Sequence, residues 1–266
     1  MLEKFNIADA YPVLTPIDPN TKLVPKADKD VSSNVTQYQS IIGSLMYASI
    51  GTRPDLAFTL TYLSQFLQLP SVEHLTAAKQ VLKYLRRTGD WDILYPYSLD
   101  QTLVLEGYVD SLWGACLTSC RLFMWYVFQF GEYTISWKVH KQWSVVTSTT
   151  EAEYMAMSLR AKQMMWYSRG LTELRVTDRK GVAVPKALRS DTQGGIDLLN
   201  NPRISDRSRH IDIQYHYTRE RLMAGDFSLV YVATWENLAD ICTKALTKDN
   251  LSRLSYTIRN CKESNK

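Results

Sequence analysis

Leu122-Phe-Met-Trp-Tyr-Val-Phe-Gln-Phe130, then Gly131-Glu132, then Tyr133-Thr-Ile-Ser-Trp137, is the stretch that decides between helix and sheet. Aromatic and β-branched residues crowd both runs, and the two residues between them suit a tight hairpin turn. Upstream, Thr102-Leu-Val-Leu-Glu-Gly-Tyr-Val-Asp110 reads as another strand. Downstream, residues 149–167 repeat apolar side chains at helical spacing, and a short strand leads into Ser190-Asp191. Helices are expected near 194–200 and over 211–224, a last strand over 227–232 and a last helix over 235–246. Three antiparallel strands followed by alternating helices and strands predict an α/β fold, a mixed sheet flanked by helices.

A different pattern precedes the sheet. Residues 1–36 are broken by Pro and Asn-Thr, as in Thr15-Pro-Ile-Asp-Pro-Asn-Thr, which predicts an extended linker arm. Ile41, Leu45 and Ala48 then recur at helical spacing, Pro54 suits a first helical turn, and Leu56, Leu60 and Leu63 share a face. Ser71 is placed to cap a third helix whose stripe is Val72, Leu75, Ala78, Leu82 and Leu85, with Gly89 closing it. The expected division is an arm (1–36), a helical domain (37–90), the α/β domain (91–250) and a C-terminal tail (251–266).

Bulk properties set limits on function. The chain has 266 residues, 45% hydrophobic and 22% charged, enough for a packed core. Thirty-one basic against 27 acidic residues permit a polyanionic partner without requiring one. The four cysteines lack zinc-site spacing and read as reduced thiols. No secretory leader and no run of about 18 apolar residues is present, so no membrane partner and an intracellular location are expected.

Four carboxylates sit where elements begin or end. Asp110 lies in an apolar strand, where it is costly to bury unless paired or metal-bound; taken alone it reads first as a strand-end residue facing water. In Ser148-Thr-Thr-Glu151-Ala-Glu153, Ser148 and Glu151 have the form of a capping box. That leaves Glu153, about 200° further round the helix, beside the apolar stripe. A solvated helix face is its other reading. Asp191 either caps the next helix or faces a ligand, and Asp240 suits the positive end of its helix. Taken together, oxygen donors of this kind suit a hard divalent cation and a phosphate substrate.

Tyr108-Val-Asp-Ser-Leu-Trp113, Ile135-Ser-Trp-Lys-Val-His-Lys-Gln142 and Ser148-Thr-Thr-Glu-Ala-Glu-Tyr-Met-Ala156 together resemble the ribonuclease H segment of copia-type retrotransposon Pol polyproteins. Arg209-His-Ile-Asp-Ile-Gln-Tyr-His216 and Asn237-Leu-Ala-Asp-Ile-Cys-Thr-Lys-Ala-Leu246 agree. Tyr38-Gln-Ser-Ile-Ile-Gly-Ser-Leu-Met-Tyr47 and Thr52-Arg-Pro-Asp-Leu-Ala57 are similar to the stretch following the polymerase palm. The resemblance implies a five-stranded ribonuclease H-like sheet and cleavage of the RNA strand of RNA–DNA hybrids. It maps the metal-binding acids onto Asp110, Glu153, Asp191 and Asp240, holding two Mg2+ ions for which Mn2+ can substitute. Lys138, Lys141, Arg207, Arg209 and His210 are the expected substrate contacts. The implied partners are the hybrid and a reverse transcriptase polymerase domain, in a cytoplasmic virus-like particle or the nucleus; DNA synthesis by this chain alone is not expected.

Departures from the family pattern are concentrated in one place. Leu112 stands where an acidic residue is usual, Ala115-Cys116 replace Gly-Asp, and bulky Leu122, Phe123, Met124 and Trp125 replace small polar residues. These predict a distorted first hairpin or lost substrate contacts. They also favour the alternative reading, a catalytically degenerate fragment retaining only the fold and a capacity to bind nucleic acid or a partner.

Overall fold

The structure is a computed structural model that describes residues 1–25, 34–95, 103–112, 123–141, 149–177, 183–200 and 212–260. It divides into two compact units, residues 1–94 with 241–266, and residues 95–240.

In the first unit, helices α1 (Val35–Gly51), α2 (Ala57–Ser64) and α3 (Val72–Arg87) pack mutually, with a 3-10 turn at Pro54–Leu56. Their shared core is Tyr38, Ile41, Leu45, Leu60, Leu63, Val81 and Leu82, all fully buried. Ser71 caps α3 as expected, but His74 supplies the reciprocal bond: its Nδ1 accepts from the Ser71 N–H at 2.8 Å. Thr88, not Gly89, is the C-cap. The arm is no free linker. It buries Phe5, Ile7, Ile17 and Leu23, and the Leu23 N–H donates to the Tyr62 hydroxyl at 2.8 Å.

The expected last helix over 235–246 is instead a 3-10 turn (Thr234–Glu236) and the short α7 (Asp240–Thr243), because Asn237 bonds the chain into an intervening turn. A further helix, α8 (Lys248–Arg259), occupies most of the expected C-terminal tail. It forms because Leu251, Leu254, Ser255 and Ile258 make one buried face.

The Thr52-Arg-Pro-Asp motif has a structural explanation. Arg53 Nε and Nη2 donate to the two carboxylate oxygens of Asp55 at 2.9 and 2.7 Å, and Nη1 donates to the Thr88 carbonyl at 3.0 Å. Tyr84 donates its hydroxyl to the same carboxylate at 2.8 Å. Both charged side chains are under 10% exposed, so each relies on the other for compensation.

The second unit is a five-stranded sheet in the order β3-β2-β1-β4-β5. Its strands are β1 (Leu105–Leu112), β2 (Phe123–Phe130), β3 (Tyr133–Lys141), β4 (Lys186–Ser190) and β5 (Ser228–Tyr231). β1, β2 and β3 are antiparallel in succession, and β4 and β5 run parallel to β1. Gly131 takes φ 62 in the two-residue turn between β2 and β3, a conformation that suits glycine.

The feared distortion of the first hairpin is absent from its described part. Phe123–Phe130 pairs with β1 across eight consecutive positions, and Phe123, Met124 and Trp125 are buried. Their bulk fills core space where small residues would leave gaps. Helix α4 (Thr149–Glu173) covers one sheet face through Ala152, Ala156, Met157 and Met164, against Leu105, Val109, Met124 and Phe128. It runs six residues past its expected end because Leu171 still packs on that cluster. Helices α5 (Gln193–Asn200) and α6 (Asp212–Met223) pack on α4. At Gly107 an added Cβ would lie 2.5 Å from the Phe128 ring, so the strand passes too close to its neighbour to carry a side chain there.

Asp55→Ala strands a buried guanidinium and is expected to cost about 3–5 kcal/mol. Chemical denaturation followed by circular dichroism checks it. A loss under 1 kcal/mol contradicts the proposed dependence of Arg53 on this carboxylate.

Candidate active site at the strand ends

The parallel pairing of β1 with β4 sets the geometry. Val109 pairs with Ser190; Asp110 follows on β1 on the sheet face opposite Val109, and Asp191 follows immediately after the end of β4. The Asp110 carboxylate accepts the Ser111 N–H at 2.7 Å. Glu153 approaches from α4, one turn from its start, half-buried. Its carboxyl is raised above the usual range, first by burial and also by the charge of Asp191, while a hydrogen bond with Thr192 pulls it partly back. Thr192 in turn donates its N–H to Ser190 Oγ at 3.4 Å. The start of α5 lies close by, for a Cβ at Gly195 would stand 3.6 Å from that of Glu153. Glu153 and Asp191 are therefore electrostatic neighbours although 38 residues separate them in sequence.

One residue missed by sequence reasoning ties the site together. Asn237, fully buried, donates from Nδ2 to the Val109 carbonyl at 3.1 Å and to Asp191 Oδ1 at 3.4 Å. Its own Oδ1 accepts the Ala239 N–H at 3.1 Å, and its carbonyl accepts the Asp240 N–H, also at 3.1 Å. A single amide thus bonds β1 next to Asp110, the Asp191 carboxylate, and the turn that starts α7 with the buried Asp240. The signal was available in the sequence, as a polar residue three positions before an expected acidic ligand. Side-chain type alone gave no reason to bury it.

Among the described residues, no three His, Cys, Asp or Glu side chains converge as a ready metal-ligand set. The donor chemistry nonetheless fits a hard cation, since burial and the charge of Asp191 raise the cost of ionising Glu153 and a positive ion relieves it. Lys138 lies exposed on β3. Only the backbone of Lys141 is described, and Arg207, Arg209 and His210 lie outside the described residues, as does Ser148 of the expected capping box. No described helix is long and apolar enough to cross a membrane.

Three antiparallel strands, two further strands parallel to the first, and acids at the strand ends define a ribonuclease H-like domain. No protein-family model matches the chain. It is 35% identical over 248 residues to the retrovirus-related Pol polyprotein from transposon RE1 of Arabidopsis thaliana, covering 93% of this chain and 16% of that protein. To the corresponding polyprotein from transposon TNT 1-94 of Nicotiana tabacum it is 36% identical over 254 residues, 94% of this chain and 18% of that protein. This chain belongs to the copia-type retrotransposon Pol polyprotein family. It spans 16–18% of the length of these curated relatives. A solved structure, ribonuclease H1 from the archaeon Halobacterium salinarum, is 16% identical at TM-score 0.32, covering 51% of this chain and 89% of that one. The fold assignment rests on strand order and direction, not on that likeness.

Two outcomes test this geometry. Asn237→Ala leaves the buried Val109 carbonyl without its side-chain donor and is expected to cost about 1–3 kcal/mol by thermal unfolding; a neutral change contradicts the tie. Glu153 is raised in the folded state, so its contribution to stability is present below the ordinary glutamate range and is lost as pH rises through the folded value. In metal-free buffer, Glu153→Gln is therefore expected to leave stability unchanged near pH 3. At pH 7 it should raise stability by no more than about 1 kcal/mol after solvent screening. A loss of stability at pH 7 reverses the sign and contradicts the crowding.

Proposed function

We propose that this chain is the ribonuclease H portion of a retrotransposon reverse-transcription machinery, a Mg2+-dependent endonuclease that hydrolyses the RNA strand of RNA–DNA hybrids. The observation that carries the reading is the approach of Glu153 to Asp191 at the end of β4, beside the strand that bears Asp110. Asp110, Glu153, Asp191 and Asp240 are the residues that would hold the metal. When bound, Mg2+ supplies the positive charge that favours ionisation of an attacking water and offsets charge on the departing 3′ oxygen. The chain's own part is to fix the acids: Asn237 holds the β1 backbone and the Asp191 carboxylate in one arrangement. Exposed Lys138 is suited to a phosphate of the hybrid, with Lys141, Arg207, Arg209 and His210 as further candidates from the family resemblance. RNA is distinguished from DNA through its 2′-hydroxyl. The polymerase domain of the same machinery is the protein partner in this reading.

A second reading, a degenerate copy that binds but does not cut, is favoured by the lack of a preassembled ligand set among the described residues and by the altered segment 112–125. End-labelled RNA–DNA hybrid incubated with the full chain and Mg2+ separates the two. Cleavage of the RNA strand, reduced on the order of a hundredfold or more by Asp110→Asn, is the expected result. Hybrid binding without cleavage selects the degenerate reading, and cleavage that Asp110→Asn leaves intact removes the assignment of the site.

A further inference from the structure

On the sheet face that bears Asp110, one register step back along β1 and β4, lies a charged cluster outside the family's acids. Glu106 and Tyr108 precede Asp110 on β1 at alternate positions, and Arg189 precedes Asp191 by two on β4, paired with Tyr108. Arg189 Nε donates to Glu106 Oε1 at 3.0 Å, and Nη2 donates to the same oxygen. The Tyr108 hydroxyl donates to Glu106 Oε2 at 3.3 Å. The guanidinium sits 5.8 Å from the Tyr108 ring, and the pair is largely shielded, at 28% and 17% exposure. Glu236, immediately before Asn237, is close enough for its charge to act on both Tyr108 and Arg189.

We propose that Arg189, clamped by Glu106 and Tyr108, is a positioning residue that holds the acid-bearing segments level for cation binding. The guanidinium ties Glu106, on the strand that bears Asp110, to β4, the strand that leads into Asp191. The two ends of this tie lie four residues from Asp110 and two from Asp191. Backbone pairing fixes the order of β1 and β4, and the Arg189–Glu106 pair adds a side-chain tie across the same two strands.

This inference rests on the proposed metal-dependent reading. Its test is Mn2+ binding to the full chain by isothermal titration calorimetry, alongside hybrid cleavage. Arg189→Gln is expected to weaken Mn2+ about tenfold, as removal of an outer-shell partner does. Arg189→Lys should recover part of the loss, and KM for the hybrid should change less than twofold. Thermal unfolding of Glu106→Gln, Arg189→Gln and the double variant monitors folding, and the expected double-variant loss is smaller than the sum of the two singles. Unchanged Mn2+ affinity in a folded Arg189→Gln overturns the clamp, and a rise in KM without a change in Mn2+ affinity makes Arg189 a substrate contact instead. If the wild-type chain neither binds Mn2+ nor cleaves, the metal-dependent reading itself fails and the clamp with it.

Discussion

The side-by-side pairing of β1 and β4 is the constraint on which the site depends. Two parallel strands in register bring Asp110 and Asp191 to one end of the sheet although they stand 81 positions apart in the chain. Parallel pairing requires a long crossover, and here the β2–β3 hairpin and α4 provide it. That crossover does chemistry as well as topology, since α4 begins near the strand ends and carries Glu153 toward Asp191. Gly107 on the central strand leaves room for the side chains of its cross-strand neighbours Phe128 and Leu188, which an added Cβ would meet at 2.5 and 3.0 Å.

Electrostatics and packing pull against each other at this end of the sheet. Burial and like charge both disfavour ionised Glu153, while the proposed chemistry needs it ionised. Asn237 offsets part of this by donating to Asp191, and it does so from a fully buried position where an unsatisfied amide would be costly. A cation bound there would offset the cost of ionising Glu153. By contrast the Arg53–Asp55 pair of the first unit is already compensated, and its motif is explained by the helices it joins.

Much of the sheet was legible because its residues announce their period. The run from Phe123 to Trp137 reads as a hairpin from composition and turn chemistry alone, and the structure has it there. The helix at Lys248–Arg259 was not read, although its buried face of Leu251, Leu254 and Ile258 has helical spacing, because many polar residues around it resemble a solvated tail. The segment 235–246 was read as one helix from its apolar positions; the Asn237 side chain overrides that period by bonding locally and across to β1. At the site, residue type pointed to the acids, but neither Asn237 nor Arg189 could be read from spacing. Their roles come from pairings across 128 and 83 residues, which no local pattern encodes.

Anomalous diffraction from a crystal of the full chain soaked in Mn2+ tests the central claim most directly. The account predicts a peak within about 2.0–2.4 Å of carboxylate oxygens from Asp110, Glu153 and Asp191. Strong Mn2+ density bound elsewhere on the molecule, with those three carboxylates turned away from one another, would contradict it.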